Sequence, residues 1–204
     1  MIRRAGVLAG SILFLMAMAV SAQETRQEVS IQGAGFFTRG TSGSGTTYNT
    51  TQTGGFLGTY RYHLNHWISA EAAYGYETNT EKYLYLSSSS FRIQSGIHQF
   101  TGSLVVNLPS SPKSRLNPYV LAGGGALLFE PTSNQFNSLS GAQSQKEGAF
   151  VYGAGLNYAI HKGISLRAEY RGLVYRTPDF GFGALTTNTV THTAVPSVGL
   201  SFRF

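Results

Sequence analysis

Beyond its first two dozen residues the chain alternates apolar and polar side chains with a period of two, in long and regularly punctuated runs. A period of two belongs to extended backbone, where successive side chains point to opposite faces of a sheet. Helical spacing is hard to find anywhere, so the fold class is all-β. In Gly54 to Leu64 one face carries Phe56, Gly58, Tyr60, Tyr62 and Leu64, and the other Leu57, Thr59, Arg61 and His63. Trp67 to Glu77 separates Ile68, Ala70, Ala72, Tyr74 and Tyr76 from Ser69, Glu71, Ala73, Gly75 and Glu77. Only Asn65 and His66 lie between these segments, which makes them a hairpin. Phe150 to Ile160 and Ile164 to Tyr175 form a second hairpin about His161-Lys162-Gly163. Val29 to Phe37, Ser95 to Leu108, Tyr119 to Phe129 and His192 to Phe204 bring the expected strands to eight.

Most of these segments run 9 to 13 residues, whereas soluble strands average about 5 to 6. A strand tilted by about 45° needs roughly 9 to 11 residues to cross a bilayer. The connections alternate too. Those at Asn65, at Pro109 to Pro118 and at His161 are compact, while Arg39 to Thr53, Thr78 to Gln94, Glu130 to Gly148 and Arg176 to Thr191 are long and rich in Ser, Thr, Asn and Gly. Short turns at one end and long polar loops at the other are the construction of bacterial outer-membrane barrels. Without water in the hydrocarbon, a sheet must close on itself to satisfy every backbone group. The expectation is therefore a closed antiparallel eight-stranded up-and-down transmembrane barrel. A soluble ligand-binding barrel of the lipocalin kind is the competing fold, and it calls for an apolar lumen under a charged exterior.

Composition agrees with the membrane reading. Only 12% of the 204 residues are charged, about half the usual share in a soluble domain. Mean hydropathy is nonetheless −0.07, because an apolar outer face and a polar inner face cancel in any average along a strand. At the N-terminus, Arg3 and Arg4 precede an apolar run from Ala5 to Val20 that ends in Val20-Ser21-Ala22. Charged head, apolar middle and small residues at minus three and minus one spell a secretory signal over residues 1–22, cleaved after Ala22, which leaves 23–204 as the barrel domain. The mature chain then carries 13 Lys and Arg against 9 Asp and Glu, since two of the 15 basic residues are in the leader. A surplus of four, with no long basic run, gives no sign of nucleic acid binding; Lys113, Arg115 and Lys162 place part of it on the short turns. The absence of Cys excludes disulfides, thiolate metal sites and a cysteine nucleophile.

A shift of 96 positions lays Tyr62, Ile68, Ser69, Ala72 and Tyr74 on Tyr158, Ile164, Ser165, Ala168 and Tyr170. That is four strands in eight, either a duplication or two hairpins converging under one lipid constraint. Aromatics collect toward strand ends, with Tyr62, Trp67, Tyr119, Tyr158, Phe202 and Phe204 near the short turns and Phe37, Phe56, Tyr76, Phe129 and Phe150 near the long loops. Both sets are expected to form interfacial girdles. Pro196 has no N–H for the ladder, so a bulge or a missing bond is expected in the last strand.

With these features, and with the ending Val198-Gly199-Leu200-Ser201-Phe202-Arg203-Phe204, the sequence resembles the small eight-stranded outer-membrane barrels of the OmpA and OmpX type over its whole mature length. The resemblance implies that Val198, Leu200, Phe202 and Phe204 are the signal read by the barrel assembly machinery. It further implies outer-membrane lipids and lipopolysaccharide as surroundings, both termini in the periplasm, and a structural or surface-interaction role through the long loops. Several members continue into a peptidoglycan-binding domain, and none is expected here.

The polar faces carry a few long charged side chains, Arg61, Glu71, Arg167, Glu169 and Arg171. The interior of an eight-stranded barrel is just wide enough for side chains to fill, and charges there are costly unless paired. Glu71 is expected to meet Arg167 or Arg171 across the lumen, with Glu169 bridging toward Arg61. Such a network disfavours a wide pore, leaving a narrow gated channel as the alternative role. Some small barrels act on lipid A with Ser, His and acid groups; His98, His192 and Asp179 are the candidates. The two histidines fall on opposite strands and no Ser stands at a recognisable spacing, so no enzymatic activity is expected. No metal or cofactor spacing is visible, and Gly123-Gly124-Gly125, like Gly153 and Gly155, relieves crowding within a strand rather than holding phosphate. The chain is expected to be a monomer, with an extracellular ligand for the loops left open.

Overall fold

The computed structural model describes residues 26–86, 89–111, 114–132 and 141–204. The expected leader with Ala22, and Lys113 of an expected short turn, lie outside the described residues. Ten strands follow one another: β1 (Gln27–Thr38), β2 (Thr41–Gly43), β3 (Thr46–Thr50), β4 (Thr53–His63), β5 (Ile68–Tyr85), β6 (Ser89–Asn107), β7 (Leu116–Pro131), β8 (Gln145–His161), β9 (Ile164–Arg176) and β10 (Val190–Arg203). Eight of them, β1 and β4 to β10, pair antiparallel with their neighbours in chain order, and β10 returns to β1. The result is a closed eight-stranded barrel in which every strand pairs with two neighbours. The closure brings the start of β1 against the end of β10, with Gln27 and Phe204 exchanging backbone hydrogen bonds at 3.0 and 2.8 Å. Among the described residues no helix is long and apolar enough to cross a membrane, as expected of a chain that crosses with strands.

Alternation decides which way each side chain points. Ile31, Phe100, Leu104, Val198 and Leu200 face outward, while Ser30, Thr59, Ser69, Thr101 and Ser201 are buried within. Tyr62, Trp67, Tyr158 and Phe202 ring the short-turn end, and Phe37, Phe56, Phe150 and Tyr152 ring the other. Between these belts no charged side chain among the described residues faces outward. Such an uncharged band between two aromatic belts is the lipid-facing surface of a membrane barrel, since a charge there would cost several kcal/mol, about 2 to 4 at the midplane.

Two of the expected girdle aromatics point the other way. Tyr119 and Phe129 are buried inside the barrel, at 1% and 0% exposure. In β7 both faces are apolar, so alternation could not assign them. Gly155 on neighbouring β8 makes room for the Tyr119 ring: a Cβ there would stand 2.3 Å from the ring's Cζ and hydroxyl.

The long-loop end is more ordered than a set of polar loops. Within the expected loop Thr78 to Gln94, Thr78 to Tyr85 and Ser89 to Gln94 continue β5 and β6 and pair with each other. The loop after β1 folds into the β2–β3 hairpin, whose second strand adds to β5 through Thr46 to Thr50. A sheet thus stands beyond the lipid-facing band. At Pro196 the pairing with β1 lapses between Ala34–Ser197 and Phe37–Ala194, and resumes in the same register, so the missing N–H produces a gap and no bulge.

Candidate functional site

The lumen divides into a charged half near the short turns and an apolar half near the long loops. In the charged half the structure gathers all five expected residues, and adds Glu28. Glu71 on β5 receives Arg61 Nη2 at 2.7 Å from the adjacent strand and Arg171 Nη2 at 2.6 Å from the opposite wall. Arg171 Nε also donates to Glu169 at 2.5 Å on its own strand. Arg167 lies 3.6 Å from Glu71, and Arg61 lies 3.8 Å from Glu169. Arg167 further pairs with Glu28 of β1, and its Nε donates to Asn157 at 2.9 Å. Three guanidinium groups therefore face three carboxylates, and the side chains of all six are 0 to 6% exposed.

Tyr119 completes this cluster. Its hydroxyl donates to Glu169 at 2.5 Å, and the Arg61 guanidinium sits 4.2 Å from the ring centroid. A cation over an aromatic face is attracted by the ring quadrupole, so one side chain serves both signs of charge. Glu28 and Tyr119 are the residues that sequence reasoning missed. The signal for Tyr119 was the small Gly155 opposite it in the register, and Glu28 lies one residue before the first expected strand.

Above the charges the lumen fills with Phe36, Leu57, Leu127, Phe129, Leu173 and Tyr175. The loop between β9 and β10 then closes the end. Phe180 packs edge-on against Tyr83 and Phe129, with centroids 6.5 and 6.2 Å away, and Leu185 is buried beside it. Phe180 adopts φ 53°, a left-handed conformation that costs a bulky residue energy and persists where the surroundings hold it. Gln145 Oε1 holds it here by accepting from the backbone N–H of Asp179 at 2.8 Å and of Phe180 at 2.7 Å, and Tyr83 donates to the Pro178 carbonyl at 2.7 Å.

Glu81 sits in the part of β5 that stands clear of the lipid-facing band, where Lys82 and Arg92 are paired on the exposed side. It is fully buried, its Oε2 accepts from Ser95 at 2.7 Å, and its other oxygen has no hydrogen-bond partner. Burial pushes its carboxyl up to about 8.

The candidate catalytic residues are scattered. His98 on β6 and His192 on β10 occupy opposite walls and face outward, each bonded to a belt tyrosine: Tyr74 to His98 Nδ1 at 2.9 Å and Tyr152 to His192 Nε2 at 3.0 Å. Asp179 accepts from Gly181 N–H and Thr186 within its own loop. Among the described residues no three His, Asp or Glu are grouped as a metal site would need. Val198, Leu200 and Phe202 line the outward face of β10, and Phe204 closes onto Gln27.

The model of the family described as the outer membrane protein beta-barrel domain matches residues 6–204. No curated protein sequence matches the chain. Among solved structures, the outer membrane protein OprG from Pseudomonas aeruginosa superposes with a TM-score of 0.61 at 14% identity, covering 90% of this chain and 98% of OprG. The outer membrane protein AlkL, solved by solid-state NMR in lipid bilayers, gives 0.58 at 18%, covering 90% and 93%. Neisserial surface protein A gives 0.52 at 16%, covering 86% and 97%. Identities this low speak for the fold alone.

Proposed function

The chain belongs to the outer membrane protein beta-barrel domain family, and from that membership we propose that it is a closed, non-catalytic barrel that displays an ordered surface to the cell exterior. Its place is the outer membrane. The observation that carries the reading is the obstruction of the lumen by two layers, six buried charges below and the aromatic layer under Phe180 above. A lumen so packed favours a scaffold over a wide pore. The sheet built from β2, β3 and the outer parts of β5 and β6 gives that scaffold a rigid face for recognition, because sites on strands hold their geometry better than sites on free loops. In this arrangement both termini lie in the periplasm and the long-loop end is outside.

An epitope inserted at Gly141 and another at Lys162 test the orientation on intact cells. Antibody labelling of the first alone is expected; labelling of the second alone overturns the arrangement. A narrow gated channel is the second reading. It is favoured by Gln99, Thr101 and Ser103, which line the inner wall of β6 and whose side-chain polar atoms find no hydrogen-bond partner. Small, brief conductance steps abolished by Gln99→Leu would support it over the sealed scaffold.

A further inference from the structure

Charge in the outer third of the barrel is sorted by face. Arg39, Lys82, Lys146 and Arg176 are exposed on the outer surface, while Glu77 and Glu81 are buried on the inner side. Glu130, 3.7 Å from His98, is an acid on the outer surface, and Glu147 and Asp179 lie beside Arg176. This places positive charge just beyond the aromatic belt, at the height where a bilayer carries its headgroups.

The sorting is most developed around β10, where a groove of about 390 Å³ opens on the outer wall. Its floor is Val174 and Val190, its lower edge is His192, and Thr41 and Ser42 supply hydroxyls from the β2 side. Arg39 flanks it, following Thr38, which pairs with Thr193. Among the described residues the Arg39 guanidinium has no ion-pair or hydrogen-bond partner of its own. Arg176 stands on the far side of β10 opposite Val190, where Glu147 and Asp179 share its surroundings. Below the groove, Tyr152 and His192 lie flat against the wall over Gly172, where a Cβ would come within 2.5 Å of the tyrosine ring and 2.8 Å of the imidazole. On β9 the outward face runs from Val174 over Gly172 to the exposed Tyr170 of the lipid-facing band.

We propose that this groove binds the phosphorylated headgroup of a glycolipid in the outer leaflet, with Arg39 as the principal ligand and Arg176 as a second cation across β10. The assignment rests on the orientation given above, with the long-loop end outside. A guanidinium presents a planar fork of donors that matches phosphate oxygens two at a time. Threonine and serine hydroxyls suit the remaining phosphate or sugar oxygens. The valine floor suits the first methylenes of an acyl chain, and no solute free in water would gain from that floor.

The test is native mass spectrometry of the full barrel released from detergent, incubated with bis-phosphorylated lipid A, with the same glycolipid after phosphatase treatment, or with inorganic phosphate as competitor. Wild-type protein is expected to retain the phosphorylated lipid at about tenfold higher occupancy than the dephosphorylated one. Arg39→Gln removes that preference, and Arg115→Gln on the short-turn side leaves it intact. Equal retention of both glycolipids, an unchanged preference in Arg39→Gln, or displacement of the lipid by millimolar inorganic phosphate overturns the assignment. Because binding in detergent needs neither a sealed lumen nor an orientation, its failure is distinct from failure of the scaffold reading.

Discussion

Arg171 Nη2 and Glu71 Oε1 meet at 2.6 Å across the lumen, joining β9 to β5 between residues one hundred positions apart in the chain. These strands are opposite each other in the barrel, so the contact is a strut across the lumen. Breaking a buried ion pair from one side leaves the other charge unpaired, at a cost of about 3 to 5 kcal/mol. Glu71→Ala should lose about that much stability in urea unfolding from lipid vesicles. Glu71→Leu combined with Arg171→Met removes both charges and should recover much of it. A double variant no more stable than Glu71→Ala would show that the pair acts through something other than its charges.

Tyr119 offers a finer test of the same cluster. Tyr119→Phe keeps the ring beneath Arg61 and removes only the donor to Glu169. A hydrogen bond to a charged group is worth about 1.5 to 3 kcal/mol, and the loss should fall there. Gly155→Ala should act on the same ring by displacing it. Combined with Tyr119→Ala, the alanine should cost far less than it does alone, measured as a double-mutant cycle.

How much of this was legible in sequence depends on whether a strand's two faces differ. Where β4, β5, β8 and β9 set Tyr or Leu against Arg, Glu or Gly, alternation alone placed Arg61, Glu71, Arg167, Glu169 and Arg171 inward, and their convergence followed from a narrow lumen. In β7 the faces are equally apolar, and Tyr119 and Phe129 were assigned to lipid although they fill the interior. Thr78 to Gln94 is rich in Ser and Thr, and that composition concealed two paired strands whose inward Asn79, Glu81, Tyr83 and Ile93 are buried. The burial of Phe180 was beyond any local pattern, since its neighbours Tyr83 and Phe129 come from distant strands.

Glu81 makes the outer sheet sensitive to pH. Its carboxyl is raised from an ordinary value of 4.5 to about 8 by burial. The folded state therefore holds a proton that the unfolded chain releases at lower pH. Stability from this group is fully present below about 4.5 and declines as pH rises toward 8, by up to about 1.4 kcal/mol per unit. Tyr48, Tyr83, Tyr175 and Glu77 face the same space and add no positive charge to offset it. Hydrogen exchange in Thr78 to Gln94 should quicken between pH 5 and 8 beyond the intrinsic rate, and Glu81→Gln should flatten that excess. An equal excess in both proteins would place the sensitivity elsewhere.

Phe180 closes the outer end, and its removal should loosen the loop without dissolving the barrel. Phe180→Ala costs about 3 to 5 kcal/mol where the cavity cannot collapse. Here the cost should appear locally, as faster hydrogen exchange and protease cleavage from Thr177 to Thr189. Strand amides of β9 and β10 below Tyr175 should keep their protection. Global unfolding instead would mean that the aromatic layer holds the strands together and is not merely their cover.

The sealed lumen is tested most directly by single-channel recording of the wild-type protein in planar bilayers. Charges paired from wall to wall and an aromatic layer above them predict a quiet trace at moderate voltage, with no large, long-lived openings. Large, long-lived steps from folded protein would contradict it.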